Sequence, residues 1–158
     1  MDCSPGAGRI TSGVVLRYEK LGHAAGDPVY QHIGDAGFDL PSSECDDVVL
    51  RPGERYVFKT GLRFEIPEGY ELQVRPRSGL AARYGVTVVN APGTVDAGYR
   101  GEVKVPLINL GEEVVVVRRG DRIAQAVLMP VPRALLVETV RVRTNTGRGE
   151  CGFGSTGC

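Results

Sequence analysis

Asp96, Tyr99 and Arg100 stand close together in the stretch NAPGTVDAGYRGEV (90–103), surrounded by Gly and Pro. A carboxylate can take a proton from water, an aromatic ring can pack on a flat ligand, and a guanidinium can pair with an anion. Each has a plainer use as well. Asp96 suits an Asx turn, and Tyr99 suits packing at a hairpin. A second stretch, RPRSGLA (75–81), offers the Arg77 guanidinium, the Ser78 hydroxyl and the Gly79 backbone N–H at the start of a helical segment. Unpaired N–H groups and the helix dipole there favour an anion. Exposed charges at a strand end would explain the same residues. DAGFDL (35–40) and GDRIAQ (120–125) also set charged side chains beside tight turns. The end of the chain, RTNTGRGECGFGSTGC (143–158), is small and polar but carries Arg148 and Phe153. It reads either as a disordered end or as a lid that closes on a ligand. No Gly-x-x-x-x-Gly-Lys-[Ser/Thr] occurs, so this is not a P-loop protein.

The totals narrow the partners. The chain has 158 residues, consistent with one domain. Lys plus Arg and Asp plus Glu both number 19, for zero net charge. That argues against a nucleic-acid binder with a broad basic face. No apolar run approaches the ~18 residues of a membrane span, and the start has no signal-peptide pattern, so the expected location is cytoplasmic. Cys3, Cys45, Cys151 and Cys158 form no Cys-x-x-Cys, and His23 and His32 lie near no cysteine pair. A zinc site is not expected, and reduced thiols are.

Something must hold these turns in place. Short Val-rich runs punctuated by 22 Gly and 10 Pro predict an all-β sandwich or barrel. Strands are expected at 13–18, 48–50, two across 55–66 broken at Gly61, 70–75, 86–90, 102–110, two across 112–131 around RRGD, and 134–142. Residues 19–37 read as a loop. The one helix is 78–85, with Ser78 as its cap and Gly85 as its end.

AGFDL (36–40), RPRSGLA (75–81), NAPGTVDAGYRGEV (90–103), GDRIAQAVL (120–128) and RGECGFGSTG (148–157) follow one another in the order of five motifs. In this the chain resembles the trimeric dUTPases, the deoxyuridine triphosphate nucleotidohydrolases. The resemblance implies a distorted jelly-roll β-barrel (a β-clip) with one short helix, assembled as a homotrimer with shared active sites. It implies a barrel domain over 1–142, with 1–12 flexible, and a lid over 143–158 that completes a neighbour's site. It implies hydrolysis of dUTP to dUMP and pyrophosphate with Mg2+ held by the triphosphate and waters, and no protein metal ligand. Asp96 matches the general base. Asn90, Gly93, Thr94 and Val95 match the uracil slot, whose backbone groups suit uracil and not cytosine. Tyr99 matches the aromatic under the sugar that leaves no room for a 2′-hydroxyl. Arg77, Ser78, Gly79 and Gln125 match phosphate contacts, and Lys104 a further substrate contact. Arg148 matches the clamp on the terminal phosphate. Phe153, with Gly154 and Ser155, matches the stacking lid. Asp39 matches a supporting position on the phosphate side.

The chain departs from the family pattern at Cys151, where a glycine is usual, in a longer 19–34 segment, and in a short 140–146 connection. Two further readings share the fold. A dCTP deaminase would use a glutamate near the base pocket, where this chain has Asp96 and Tyr99. A regulatory module binding an unidentified protein partner would need no catalysis.

Overall fold

Alternation of apolar and polar side chains decides how this chain pairs. In Tyr70–Arg75 (β6), Leu72 and Val74 point inward. In Leu62–Glu65 (β5), Leu62 and Phe64 do so. In Lys104–Asn109 (β9), Val105, Leu107 and Asn109 do so. Such a period of two suits a strand with one buried face. The computed structural model of the chain describes residues 13–147 and 149–150. Its other strands are Arg17–Lys20 (β1), Phe38–Pro41 (β2), Val48–Leu50 (β3), Arg55–Lys59 (β4), Val86–Val88 (β7), Gly93–Asp96 (β8), Val115–Val117 (β10) and Arg122–Pro130 (β11). The one helix is Ser78–Tyr84 (α1).

All named ladders are antiparallel. The larger sheet runs β2–β11–β6–β8, a second runs β4–β9–β7, and β3–β10 and β1–β5 form two pairs. Phe38, Leu40 and Leu72 of the first sheet share one core with Phe58, Val105 and Leu107 of the second. The result is the distorted jelly-roll barrel with one short helix that was expected. Asn109 is fully buried at its seam. Its amide nitrogen donates to the carbonyls of Leu50 (2.9 Å) and Glu113 (2.7 Å), and its oxygen accepts from the Gly111 N–H (2.9 Å). A buried amide satisfied on both ends locks register without an unpaired-group penalty.

Several expectations are corrected. The first strand lies at Arg17–Lys20 and not 13–18, because Leu62–Glu65 supplies its partner register. Phe38–Pro41 is an additional strand, paired to β11. The helix N-cap is Arg77 and not Ser78, and no side chain caps it. Gly85 does end the helix, in the left-handed region at φ 67°. Residues 93–96, between the strands expected at 86–90 and 102–110, are a strand of their own. β7 and β9 do pair, but between them the chain crosses to the other sheet and adds β8 to β6. Gly93 and Val95 face inward there, so this stretch has its own alternation. Pro106 in β9 accommodates that departure. Its carbonyl takes the Val89 N–H (2.9 Å), and its missing N–H falls where β7 has just ended.

The expected strand at 134–142 forms no ladder. Leu135, Leu136, Val137, Val140 and Val142 are all largely exposed. Their β-forming composition is real, but no strand edge among the described residues pairs with them. No helix among the described residues is long and apolar enough to cross a membrane.

Two glycines separate backbone strain from packing. Gly69 has φ 81° with open space around a Cβ, whereas at Gly85 a Cβ would stand 2.5 Å from the Gly111 nitrogen. Gly69→Ala is expected to cost about 1 kcal/mol. Gly85→Ala adds overpacking and is expected to cost about 2–4 kcal/mol. Urea midpoints at equal protein concentration check the difference.

Candidate active site

The end of β6, the start of α1 and the start of β11 converge on one arginine-rich cleft of about 450 Å3. Asp39 on β2 organises it. Its Oδ1 meets Arg77 Nε at 2.9 Å and its Oδ2 meets Arg122 Nη1 at 3.2 Å. Arg77 also donates to the Arg122 carbonyl at 2.9 Å. Asp39 is only 13% exposed, and Arg122 is half exposed. One shielded carboxylate therefore fixes two guanidiniums whose remaining N–H groups stay available to an anion. Pro76 stops β6 just before Arg77, and its carbonyl accepts the Gln125 amide at 2.9 Å. Gly37 leaves space for that glutamine, since a Cβ there would lie 2.9 Å from Gln125 Oε1. Ser78 and Gly79 line the same cleft and are exposed. The expected phosphate set Arg77, Ser78, Gly79 and Gln125 is thus brought together, with Asp39 behind it.

Asp96, Tyr99, Thr94, Val95 and Lys104 line a second cleft of about 230 Å3. β8 ends at Asp96, and the Tyr99 N–H closes a turn onto the Asp96 carbonyl at 3.0 Å. Arg100 is spent on that turn: its guanidinium donates to the carbonyls of Ala97 and Tyr99. The Tyr99 ring lies over Gly101, where any Cβ would strike it. Its hydroxyl donates to the Glu102 carbonyl at 3.0 Å. Asn90 sits in the turn before β8, beside Gly93, where a Cβ would crowd its amide at 3.2 Å.

The two clefts do not meet on one chain. Gln125 pairs with Arg75 on β6, while Asp96 pairs with Glu71. Four residues of strand and two strand spacings separate these positions. That is about 13 Å along and about 10 Å across. Arg148, Phe153, Gly154 and Ser155 lie outside the described residues.

Sequence reasoning passed over four residues. Arg122 lies inside a quoted motif but was not singled out. Arg75 lines the phosphate-side cleft. Glu102 lines the Tyr99 cleft, and His23 contacts it from far along the chain at 2.8 Å. No local pattern marks the last two, which lie 79 positions apart. Burial raises the Glu102 carboxyl. Hydrogen bonds from His23 and the Gly61 N–H, with the charges of His23 and Lys104, outweigh that and hold it below its ordinary value of 4.5.

Known proteins bear on this arrangement. The dUTPase family model matches residues 24–157. The chain belongs to the dUTPase family. A deoxyuridine 5′-triphosphate nucleotidohydrolase of Caulobacter vibrioides is 55% identical over 152 residues, which is 94% of this chain and 97% of that one. One from Thermobifida fusca is 57% identical over 131 residues, 82% of this chain and 72% of that one. Among solved structures, the Staphylococcus bacteriophage 80alpha dUTPase with dUpNHpp is 30% identical, with TM-score 0.83, over 91% of this chain and 99% of that one. A mutant dUTPase of phage phi11 of S. aureus, described with a structural Mg(II) ion, is 27% identical with TM-score 0.74, over 81% of this chain and 98% of that one.

The Glu102 shift makes a signed prediction. A carboxyl whose folded pKa is depressed adds stability above its unfolded pKa and loses it as pH falls through the folded value. The stability advantage of the parent dUTPase over Glu102→Gln is expected to be full at neutral pH. It should shrink below about pH 4.5, the ordinary glutamate value, and vanish once pH passes below the folded pKa. Denaturation of both proteins across acid pH measures it.

Proposed function

We propose that this dUTPase-family chain hydrolyses dUTP to dUMP and pyrophosphate, with Asp96 as the base. The product dUMP serves dTMP synthesis, and removal of dUTP limits uracil in DNA. The observation that carries the reading is the single cleft in which an exposed carboxylate, Asp96, stands beside a ring held in place, Tyr99, and the edge strand β8.

Each residue has a physical task. Asp96 orients a water and takes its proton as the water oxygen attacks the α-phosphorus. The bond from that phosphorus to the bridging oxygen breaks, and pyrophosphate leaves with the electron pair. The edge of β8 turned away from β6 has no ladder partner among the described residues. Its outward-facing N–H and C=O groups at Thr94 can pair with the uracil edge as another strand would, with Val95, bonded back to Leu72, lining the slot beside it. Cytosine presents the opposite donors and acceptors, and an unmatched buried polar group costs about 1–3 kcal/mol. Asn90 and Gly93 shape the same slot. Tyr99, tied by its hydroxyl, supports the sugar and refuses a 2′-hydroxyl. Lys104 adds positive charge beside Asp96. Arg77, Ser78, Gly79 and Gln125 hold the phosphates, where aligned charge stabilises the departing oxygens. Arg148, Phe153, Gly154 and Ser155 belong to the lid motif, and the lid at 143–158 closes the site.

Mg2+ fits as an ion carried by the triphosphate, where it would neutralise phosphate oxygens. The carboxylates of the phosphate-side cleft are engaged elsewhere, Asp39 by two arginines and Asp35 by the His32 N–H. Among the described residues no three His, Cys, Asp or Glu side chains gather to hold a metal.

The working assembly is a homotrimer in which one copy's Asp96 cleft faces another's arginine cleft. Two observations support it: the clefts lie far apart on one chain, and the exposed apolar arm at 131–142 pairs with no strand among the described residues. Closed cyclic symmetry satisfies both.

Asp96→Asn is expected to keep dUTP binding and to lower kcat by about 10²–10⁴-fold. Pyrophosphate release from dUTP, dCTP and UTP, together with dUTP binding, checks this. Wild-type release from dUTP alone is the expected pattern, and normal turnover by Asp96→Asn would remove it as the base. The double substitution Leu135→Asp and Leu136→Asp should turn a trimer into monomers and abolish turnover while leaving the far-ultraviolet circular dichroism unchanged. Light scattering reads the mass.

A further inference from the structure

Glu102 is joined to three separate parts of the chain. Its carboxylate Oε1 accepts from His23 Nε2 and from the Gly61 N–H, both at 2.8 Å. Its backbone carbonyl accepts the Tyr99 hydroxyl at 3.0 Å. The Glu102 side chain is only 13% exposed, and the His23 ring is 39% exposed.

His23 does not hang from a loose loop. Arg119 donates to the carbonyls of His23 (2.9 Å) and Ala24 (3.2 Å), and its other nitrogen donates to those of Ser43 (3.1 Å) and Glu44 (3.4 Å). The Ala25 N–H donates to Ser43 Oγ at 2.9 Å, and Ser43 Oγ donates to the Thr60 carbonyl at 2.7 Å. Ala24 lies so close to Gly61 that no Cβ fits between them. The Leu21 N–H is bound to the Gly61 carbonyl at 2.8 Å. The segment 21–25 is therefore a fixed abutment, and the imidazole reaches from it to the root of the Tyr99 turn.

We propose that His23 is a positioning residue for sugar selection: through Glu102 it braces the turn that carries Tyr99 and so keeps the ring where a 2′-hydroxyl would collide. This rests on the reading of Tyr99 as the sugar-side residue. The argument is geometric. Refusal of one extra oxygen needs a wall that cannot retreat, and the Tyr99 ring is itself half exposed. Its hydroxyl is anchored to the backbone of the residue that His23 holds. Releasing Glu102 loosens the anchor and lets the wall give way. His23 lies one residue before the stretch matched by the family model, in the segment with no catalytic motif.

The test compares His23→Leu, which removes the donor, with His23→Gln, whose amide nitrogen takes the place of Nε2. Pyrophosphate release is measured with dUTP and UTP, and amide hydrogen exchange is followed at Gly61 and Tyr99. His23→Leu is expected to narrow the dUTP-over-UTP preference in kcat/KM by about tenfold, mostly through KM for dUTP and faster UTP turnover. Exchange should quicken at both amides, and His23→Gln should restore preference and protection. Should His23→Leu fail to fold, His23→Asn, which keeps polarity but falls short, takes its place. Unchanged preference in the donor-less variant overturns the brace, as does equal impairment in His23→Gln. A wild type that releases no pyrophosphate from dUTP defeats the catalytic reading instead, and the exchange data then decide whether the brace exists.

Discussion

Strand β6 is the member on which the geometry of this protein depends. Its far end pairs with β11 at Arg75 and Gln125, and its near end pairs with β8 at Glu71 and Asp96. Side chains alternate across a strand, so a slip of one residue would turn every one of them to the other face. Leu72 and Val74, buried between those ends, forbid that slip. The same burial that stabilises the barrel thereby sets both the spacing and the facing of the two clefts. A carboxylate at one end and an arginine pair at the other are held rigidly, and held apart.

Holding them apart has a chemical consequence. A base and a cluster of cations within reach of one another would pair and neutralise each other. Here the cations are served by Asp39, which is shielded and already bound to both guanidiniums. Asp96 stays exposed and makes no ion pair among the described residues. Charge is stored in two separate places, and in the proposed trimer neighbouring copies would join the two across substrate and cover the exposed arm at 131–142.

Rigidity is built the same way on both sides. Long side chains reaching backbone carbonyls do the fastening: Arg100 on Ala97 and Tyr99, Gln125 on Pro76, Arg119 on four carbonyls of the 23–24 and 43–44 segments. Glycines at 37, 61 and 101 make room for these contacts. Turns that would be mobile as isolated sequence become fixed supports. Residues on such supports can discriminate one oxygen atom, because misplacement by an ångström is costly at a reacting centre.

Much of this was legible in the chain itself. Alternation in 55–66, 70–75 and 102–110 revealed the strands, because a half-buried strand needs that period. Gly85 announced the end of the helix, because few other residues take positive φ. Motif order named the family, and with it the reaction and the residues assigned to each task. Three things were hidden. The crossing of 93–96 into the larger sheet depends on which edge is open, and pairing partners distant in sequence leave no local mark. The absence of a ladder at 134–142 came from the same cause: composition states what a segment is suited to, not whether an edge awaits it. The contact between His23 and Glu102 spans 79 positions, and neither residue carries a pattern. Sequence by itself determined the local geometry and the chemical inventory, since these follow from neighbouring residues. Only the tertiary structure decided which groups stand together and which stand apart, since that is fixed by long-range packing around a shared core.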